Sequence, residues 1–394
     1  MRHYTIPIFI PELACPNRCL FCNQRNISGS SSQPSAEEVV AEIEKRLSTI
    51  SPGNEVEIGF FGGNFTGIEL VLQEYYLSIA SPYVNQGKVS GIRVSTRPDY
   101  INHDSIKLLK KYAVSTVELG AQSLDEEVLA KTGRGHSVQH VIDASGMIRD
   151  AGLNLGLQMM IGLPGDSFEK SIHTAKEIVR LGASSTRIYP TLVIRETELE
   201  TLFKLGKYAA LSLEQAIDWT KEIVKIFETN HVRILRIGLH PSEGLLTGEN
   251  LVAGPFHVAF GEMVRSALWK DAFIRFLGLG GEGQGTGDEG LMTSVLGLGI
   301  REGGREIGNF GFRISDIRES NRDFGIRPST DGSDFGKTIQ PAQEVLLVEV
   351  PVGQLNAAVG HKAENKIMLM KYFRKVIFRE NPILNGRNFI FKPL

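Results

Sequence analysis

Two observations predict an α/β fold of mainly parallel strands with a smaller α+β segment at its carboxyl end. Through the first 240 residues, apolar runs of strand length alternate with longer segments of helical periodicity, the pattern of parallel strands joined by crossover helices. From Glu344 onward, strand-like and helix-like stretches return after a glycine-rich and polar interval. With 394 residues the chain exceeds one ordinary domain and can bury a full core.

The expected strands are Thr5 to Ile10, Val56 to Phe61, Gly91 to Ser95, Thr116 to Leu119, Leu153 to Ile161 and Thr186 to Tyr189. Four stretches between them read as capping boxes at helix starts: Ser35 to Glu38, Ser123 to Glu126, Asp166 to Glu169 and Ser212 to Gln215. The first helix carries Val39, Ile43 and Leu47 on one face, and the helix after Asp166 carries Ile172, Ala175 and Val179. Six strand-helix units fit either an open doubly wound sheet or a curved partial barrel, and periodicity does not choose between them.

Apolar content of 42% and charged content of 22% are those of a soluble globular chain. No apolar run reaches the roughly eighteen residues of a membrane span, so no membrane association is expected. The amino-terminal stretch from Met1 to Pro11 is short, broken by prolines and without a small-residue cleavage site, and reads as a first strand of a cytoplasmic protein. Net charge of -2 gives no general attraction to nucleic acid, but residues 361–394 hold eight Lys or Arg against two Glu.

The only three cysteines, Cys15, Cys19 and Cys22, stand in C-x3-C-x2-C spacing near the start. Thiolates are soft ligands for iron, and three on one short loop can hold three corners of a cubane, leaving the fourth iron for a small molecule. A structural zinc site needs four protein ligands, and Cys19 and Cys22 have no second pair to join them. Three free thiols also fit a reducing compartment.

These cysteines, with Phe21 ahead of the last, resemble the signature of the radical S-adenosylmethionine superfamily. The later motifs are most similar to the catalytic subunit of elongator and more distantly to oxygen-independent coproporphyrinogen oxidases, over roughly residues 1 to 270. The resemblance implies a partial (β/α)6 TIM-like barrel over residues 1–240, with its site at the carboxyl ends of the strands. Residues 241–277 would extend the barrel, residues 278–341 would be a glycine-rich and polar linker, and residues 342–394 would form the small basic α+β domain.

The resemblance also implies a [4Fe-4S] cluster on Cys15, Cys19 and Cys22 and S-adenosyl-L-methionine at its open iron. In Phe61-Gly62-Gly63-Asn64, the glycines would let backbone carbonyls approach the methionine ammonium. Ser95, at the end of the third strand, would meet the cofactor's polar groups. Gln122 matches a ribose-contacting glutamine of the oxidases, and Arg134 an arginine that pairs with the methionine carboxylate, a role suited to its fork. Gln158 stands where those oxidases carry an acidic ribose ligand. Arg195 and Tyr189 would lie near substrate or adenosyl group. Met159 and Met160 read as core, and His240 and His257 as structural histidines.

A G-x-G-x-x-G match at Gly278, Gly280 and Gly283 lacks a strand-helix frame and reads as connection. At the end, strand Glu344 to Val350, helix Gly353 to Val359, loop Gly360-His361-Lys362-Ala363, helix Glu364 to Phe373 and strands Val376 to Arg379 and Asn388 to Phe391 are similar to an RNA-binding KH module. In that module the loop clamps the sugar-phosphate backbone. Ala363 replaces its second glycine.

The function implied is a radical enzyme that cleaves S-adenosylmethionine and acts on RNA, most simply transfer RNA, with a ferredoxin or flavodoxin as electron donor. Two departures from the elongator subunit, a narrower gap between the first two cysteines and no room for its acetyltransferase domain, leave the transferred group open. The alternatives are a radical enzyme acting on a tetrapyrrole or other small molecule, and a non-catalytic RNA- or haem-binding protein with a structural cluster.

Overall fold

The structure, a computed structural model, describes residues 3–10, 15, 19–23, 33–239, 242–277 and 342–394. It divides into two units, Met1–Gly261 and Glu262–Leu394. The boundary falls within the stretch 241–277 expected as a barrel extension. The expected linker at 278–341, with its G-x-G-x-x-G match, lies outside the described residues, as does His240.

The first unit is a seven-stranded parallel sheet. Its strands are β1 (His3–Phe9), β2 (Glu55–Phe61), β3 (Gly91–Thr96), β4 (Val114–Gln122), β5 (Asn154–Ile161), β6 (Ser185–Pro190) and β8 (Arg233–Ile237), in the order β1-β2-β3-β4-β5-β6-β8. The short β7 (Val193–Ile194) pairs antiparallel with β9 (Leu251–Ala253). The six expected strands form, and β8 adds a seventh that the partial (β/α)6 reading did not include. Its sequence, Arg233-Ile234-Leu235-Arg236-Ile237, interrupts an apolar run with two arginines. That pattern disguised a strand whose polar residues share one face with the polar lining of the sheet.

One face is apolar and lies under the helices: Ile58, Phe60, Ile92, Val94, Val117, Leu119, Leu157, Met159, Ile161 and Ile188 are all buried. Met159 is therefore core, whereas Met160, on the opposite face, is half-buried. The polar face carries Glu57, Arg93, Ser95, Thr116, Glu118, Gln158 and Arg187. Contacts from β2 to the far strands close the sheet into a curled half-barrel with this face inward. Arg187 of β6 lies 5.1 Å over the Phe61 ring, and Arg233 of β8 pairs with Glu55 at 3.3 Å.

The boxes at Ser35 and Ser212 form as expected. The helix Glu126–Lys131 is instead capped by Asp125, whose carboxylate accepts the Val128 N–H, while Ser123 supports Asp125. Ser167, not Asp166, caps Phe168–Arg180. Asp166 accepts from the Gly162 and Ser167 amides and the Ser171 hydroxyl, tying the turn together. That turn rotates the helix so that Ser171, Thr174, Ala175 and Ile178 face the sheet, with Ile172 and Val179 only half-buried.

Buried charges along the inner face are paired. The Glu57 carboxylate receives Arg93 Nη2 at 2.8 Å and His3 Nε2 at 2.8 Å, and Thr116 donates to it at 3.1 Å. Burial pushes its pKa up, but the His3 hydrogen bond and the charge and hydrogen bonds of Arg93 outweigh that and hold it at about 2. Its folded value lies below the ordinary carboxylate value of 4.5, so its stabilisation is fully present above that pH and lost as pH falls towards 2. The contribution is on the order of 2–3 kcal/mol. Glu57→Gln is therefore expected to flatten the loss of stability in urea titrations run through that window. Parallel loss in both proteins would remove Glu57 from the account.

The second unit packs the 262–276 part of the helix Phe260–Phe276 on a three-stranded sheet of order β11-β10-β12. These are β10 (Ala342–Val350), β11 (Phe373–Glu380), parallel to it, and β12 (Ile390–Pro393), antiparallel. Trp269 and Phe273 are fully buried against Leu346, Val348, Val350 and Val376, with Phe389 and Phe391 completing an aromatic cluster. Between β10 and β11 come the helices Leu355–Val359 and Glu364–Leu369, joined by Gly360 to Ala363. Gly360, Lys362 and Ala363 all have positive φ, so Ala363 takes the left-handed conformation for which glycine is the default. Among the described residues no helix is long and apolar enough to cross a membrane.

Candidate active site

The cysteine loop follows β1 and is pinned at Leu20. The Leu20 amide donates to the Thr132 carbonyl at 3.1 Å, and the Leu20 carbonyl accepts from Leu199 at 2.8 Å. A tight turn brings the Cys22 amide to the Cys19 carbonyl at 3.0 Å. Cys19 and Phe21 are buried with Val128, Leu163, Val193 and Leu199, and Cys22 packs at the edge of this cluster. All three cysteines are free of disulfides. Among the described residues no group of three or more His, Cys, Asp or Glu is gathered closely enough to hold a metal ion, so the three thiols do not converge here. Thiolates repel one another, and the bridging metal itself supplies the force that draws such ligands together.

Arg134 reaches the loop from beyond Glu126–Lys131. It is buried, with Nη1 donating to Cys19 Sγ at 3.3 Å and Nη2 to the Gly120 carbonyl. Arg97, only 1% exposed, stands behind it. Its guanidinium binds Asp99 through two bonds of 2.9 Å and donates to the Arg134 carbonyl at 2.7 Å. Burial disfavours the Arg97 charge, but the hydrogen bonds and charge of Asp99, then the charges of Cys15 and Cys19, raise its pKa.

Asn64 joins the ends of β2 and β3: its Oδ1 accepts Thr96 Oγ1 at 2.6 Å and the Arg97 amide at 3.2 Å. Gly62 and Gly63 have positive φ. At Gly62 a side chain would also meet the Ile10 carbonyl oxygen at 2.0 Å, so the close approach that requires glycine there is to the chain itself. At the end of β4, Gln122 has φ of 66°, which folds its side chain back over Gly120. His136 touches the Ala121 carbonyl at 3.2 Å. Burial, then the charges of Arg134 and Arg97, lower its pKa to about 3, so it is neutral at physiological pH.

Four buried polar atoms in this cluster have no hydrogen-bond partner: Arg97 Nη1, Gln122 Oε1, Arg134 Nε and His136 Nδ1. Such atoms are rare in native interiors, and their concentration at one place suits a polar ligand. Gln158 lies deeper, donating to Ser95 Oγ at 3.2 Å and to Glu118. Tyr189 is half-buried on the same inner face. Arg195 is exposed and donates to the Glu249 carbonyl, while its own carbonyl accepts Asn23 Nδ2 at 3.3 Å. His257 Nδ1 accepts the Ala259 amide at 3.0 Å ahead of the helix Phe260–Phe276, a structural use. Gly360, His361 and Lys362 belong to the second unit, where the His361 amide donates to Ser266 Oγ at 3.0 Å.

Residues 10–178 match the family described as the radical SAM superfamily, and residues 183–270 match the radical SAM C-terminal domain. The chain belongs to the radical SAM superfamily. Over 198 residues it is 30% identical to a tRNA uridine(34) acetyltransferase of Methanocaldococcus infernus, a match covering 45% of this chain and 37% of the relative. Over 142 residues it is 36% identical to Elongator complex protein 3 of Saccharomyces cerevisiae, covering 35% of this chain and 26% of the relative. The chain thus matches less than half the length of either relative. The solved archaeal Methanocaldococcus infernus Elp3, with residues 1–46 deleted, shares the fold: TM-score 0.55 at 24% identity, over 71% of this chain and 64% of that one.

Superfamily membership implies a [4Fe-4S] cluster and S-adenosylmethionine as the groups of this radical SAM domain. Thiols outside any disulfide, adjoining guanidiniums and unsatisfied buried donors and acceptors fit both groups.

Motif reading passed over Glu118, Arg187 and Arg236 as site residues. Their signal was present: parallel strands covered by helices on both faces read as continuous apolar runs. Charged residues at alternate positions of β2, β3, β4 and β6 therefore mark a lined interior.

Proposed function

We propose that this chain is a radical enzyme acting on RNA, with transfer RNA as its substrate. The observation that carries the reading is the Arg134 guanidinium held against the Cys19 thiol among four unsatisfied buried polar atoms. The substrate class is supported by relatives named for tRNA uridine chemistry and by the excess of Lys and Arg in residues 361–394.

When bound, the cluster and S-adenosylmethionine supply a 5'-deoxyadenosyl radical that takes a hydrogen atom from a C–H bond. Cys15, Cys19 and Cys22 would hold the cluster. Arg134 would turn its free Nε–H to the methionine carboxylate, with Gly62 and Gly63 presenting backbone to the ammonium group. Gln122 offers an unbonded amide oxygen to a ribose hydroxyl, and Ser95 and Gln158 line the floor beneath. Asn64 acts by fixing the ends of β2 and β3, and Phe21 by packing the loop. In the second unit, Gly360, His361 and Lys362 would meet the RNA backbone. A ferredoxin or flavodoxin in a reducing cytoplasm would deliver the electron.

Protein reconstituted anaerobically and given S-adenosylmethionine and dithionite is expected to form 5'-deoxyadenosine, faster with bulk transfer RNA than without it. Nucleoside profiles of cells lacking the gene should lose one modified nucleoside. 5'-Deoxyadenosine formation stimulated by a tetrapyrrole and indifferent to RNA would overturn the substrate reading and leave the radical chemistry standing.

A further inference from the structure

Four arginines occupy the inner face of the half-barrel, and three have a carboxylate. Arg93 pairs with Glu57 at 2.8 Å and Glu118 at 3.2 Å, Arg187 with Glu118 at 2.6 Å, and Arg233 with Glu55 at 3.3 Å. Arg236 has none among the described residues. Its Nε and Nη2 donate only to the Gly238 and Leu239 carbonyls, at 3.0 and 3.2 Å.

Arg187 and Arg236 are direct register partners on adjacent strands. Like charges in that position repel. A register shift between β6 and β8 inserts Leu235, which keeps both Arg233 and Arg236 aligned with the polar residues of β6. Tyr189, two residues beyond Arg187 on the same face, places its phenol against the Arg187 guanidinium. Burial lowers the Arg236 pKa, Tyr189 opposes that, and the charge of Arg187 lowers it further.

We propose that Arg187, Arg236 and Tyr189 form an oxyanion subsite inside the half-barrel that takes a phosphate or carboxylate group of the substrate. An anion there bridges two guanidiniums that otherwise face each other, Glu118 pairing with Arg187 from the side away from Arg236, and charge-assisted bonds to such forks are the strong ones. The phenol supplies a further donor. Gln158 and the Phe61 ring flank the same space, so the group carrying the anion would extend towards the cysteine loop. The subsite requires neither the cluster nor RNA as substrate, so its test is independent of the proposed reaction.

The test is calorimetric titration of the full chain with inorganic phosphate and, separately, acetate, each against chloride at matched ionic strength. The proteins are wild type, R236M, R236K and E118Q. Wild type is expected to bind one anion equivalent, R236M to bind about tenfold or more weakly, and R236K to recover most of the loss. E118Q, which frees Arg187 of its competing carboxylate, is expected to bind more tightly. Preference for phosphate assigns the subsite to a nucleotide phosphate, and preference for acetate to a carboxylate of a small co-substrate. Binding that is absent from wild type, or equal in wild type and R236M while circular dichroism shows both folded, overturns the proposal.

Discussion

Cys19→Ala protein reconstituted with iron and sulfide is expected to retain little of the wild-type iron and to form no 5'-deoxyadenosine above background. Cubane clusters need thiolate ligands, and the chain has no fourth cysteine to substitute. The three positions should differ in stability. Cys19 is 5% exposed within an apolar cluster and accepts the Arg134 Nη1 bond, so its loss leaves a buried guanidinium N–H without a partner. That costs about 1–3 kcal/mol. Cys22 lies at the edge of the cluster, and Cys22→Ala should lose iron with a smaller stability cost. Iron stoichiometry and urea denaturation read the two effects separately. A Cys19→Ala protein with full iron and a normal 5'-deoxyadenosine yield would end the assignment of this loop.

Arg97→Leu should be the more damaging change to the fold. Arg97 is nearly inaccessible, and its removal leaves Asp99, 16% exposed, without a counter-charge in a partly buried setting. Breaking buried pairs of this kind costs about 3–5 kcal/mol, and the residual exposure of Asp99 places the expectation at the lower end. Arg97 also fixes the Arg134 carbonyl, so S-adenosylmethionine affinity should fall by about tenfold or more through displacement of Arg134. Arg97→Lys keeps the charge but not the planar fork and should rescue stability more than affinity. Equal recovery of both by lysine would show that only charge matters at this position.

The cysteine loop, the glycine turn after β2, Gln122 at the end of β4 and Arg134 beyond the helix Glu126–Lys131 were singled out in the sequence because each lies in a local motif with its own chemical signature. Six strands were legible from their apolar runs, and two helix starts from their capping boxes. β8 was not, because Arg233 and Arg236 interrupt its apolar run and look like surface residues; Arg233 is exposed, and only Arg236 is half-buried. Ser123 and Asp166 were misplaced as caps by the same limitation. Each has the right residue type, and only the backbone path shows that Asp125 and Ser167 hold the first amides while Asp166 braces a turn.

The sequence by itself determined the spacing of the three cysteines, the alternation of strands and helices, and the superfamily to which the chain belongs, since hydrophobic period and motif spacing are properties of neighbouring residues. Only the tertiary structure decided that Arg97 stands behind Arg134, that Gly62 is required by the Ile10 carbonyl, and that Arg236 faces Arg187 with no carboxylate of its own among the described residues. Those relations depend on strand register, a single-residue shift and the curvature of the sheet. Pairing across tens of residues arises from burying one face of the whole sheet, and no local stretch encodes it.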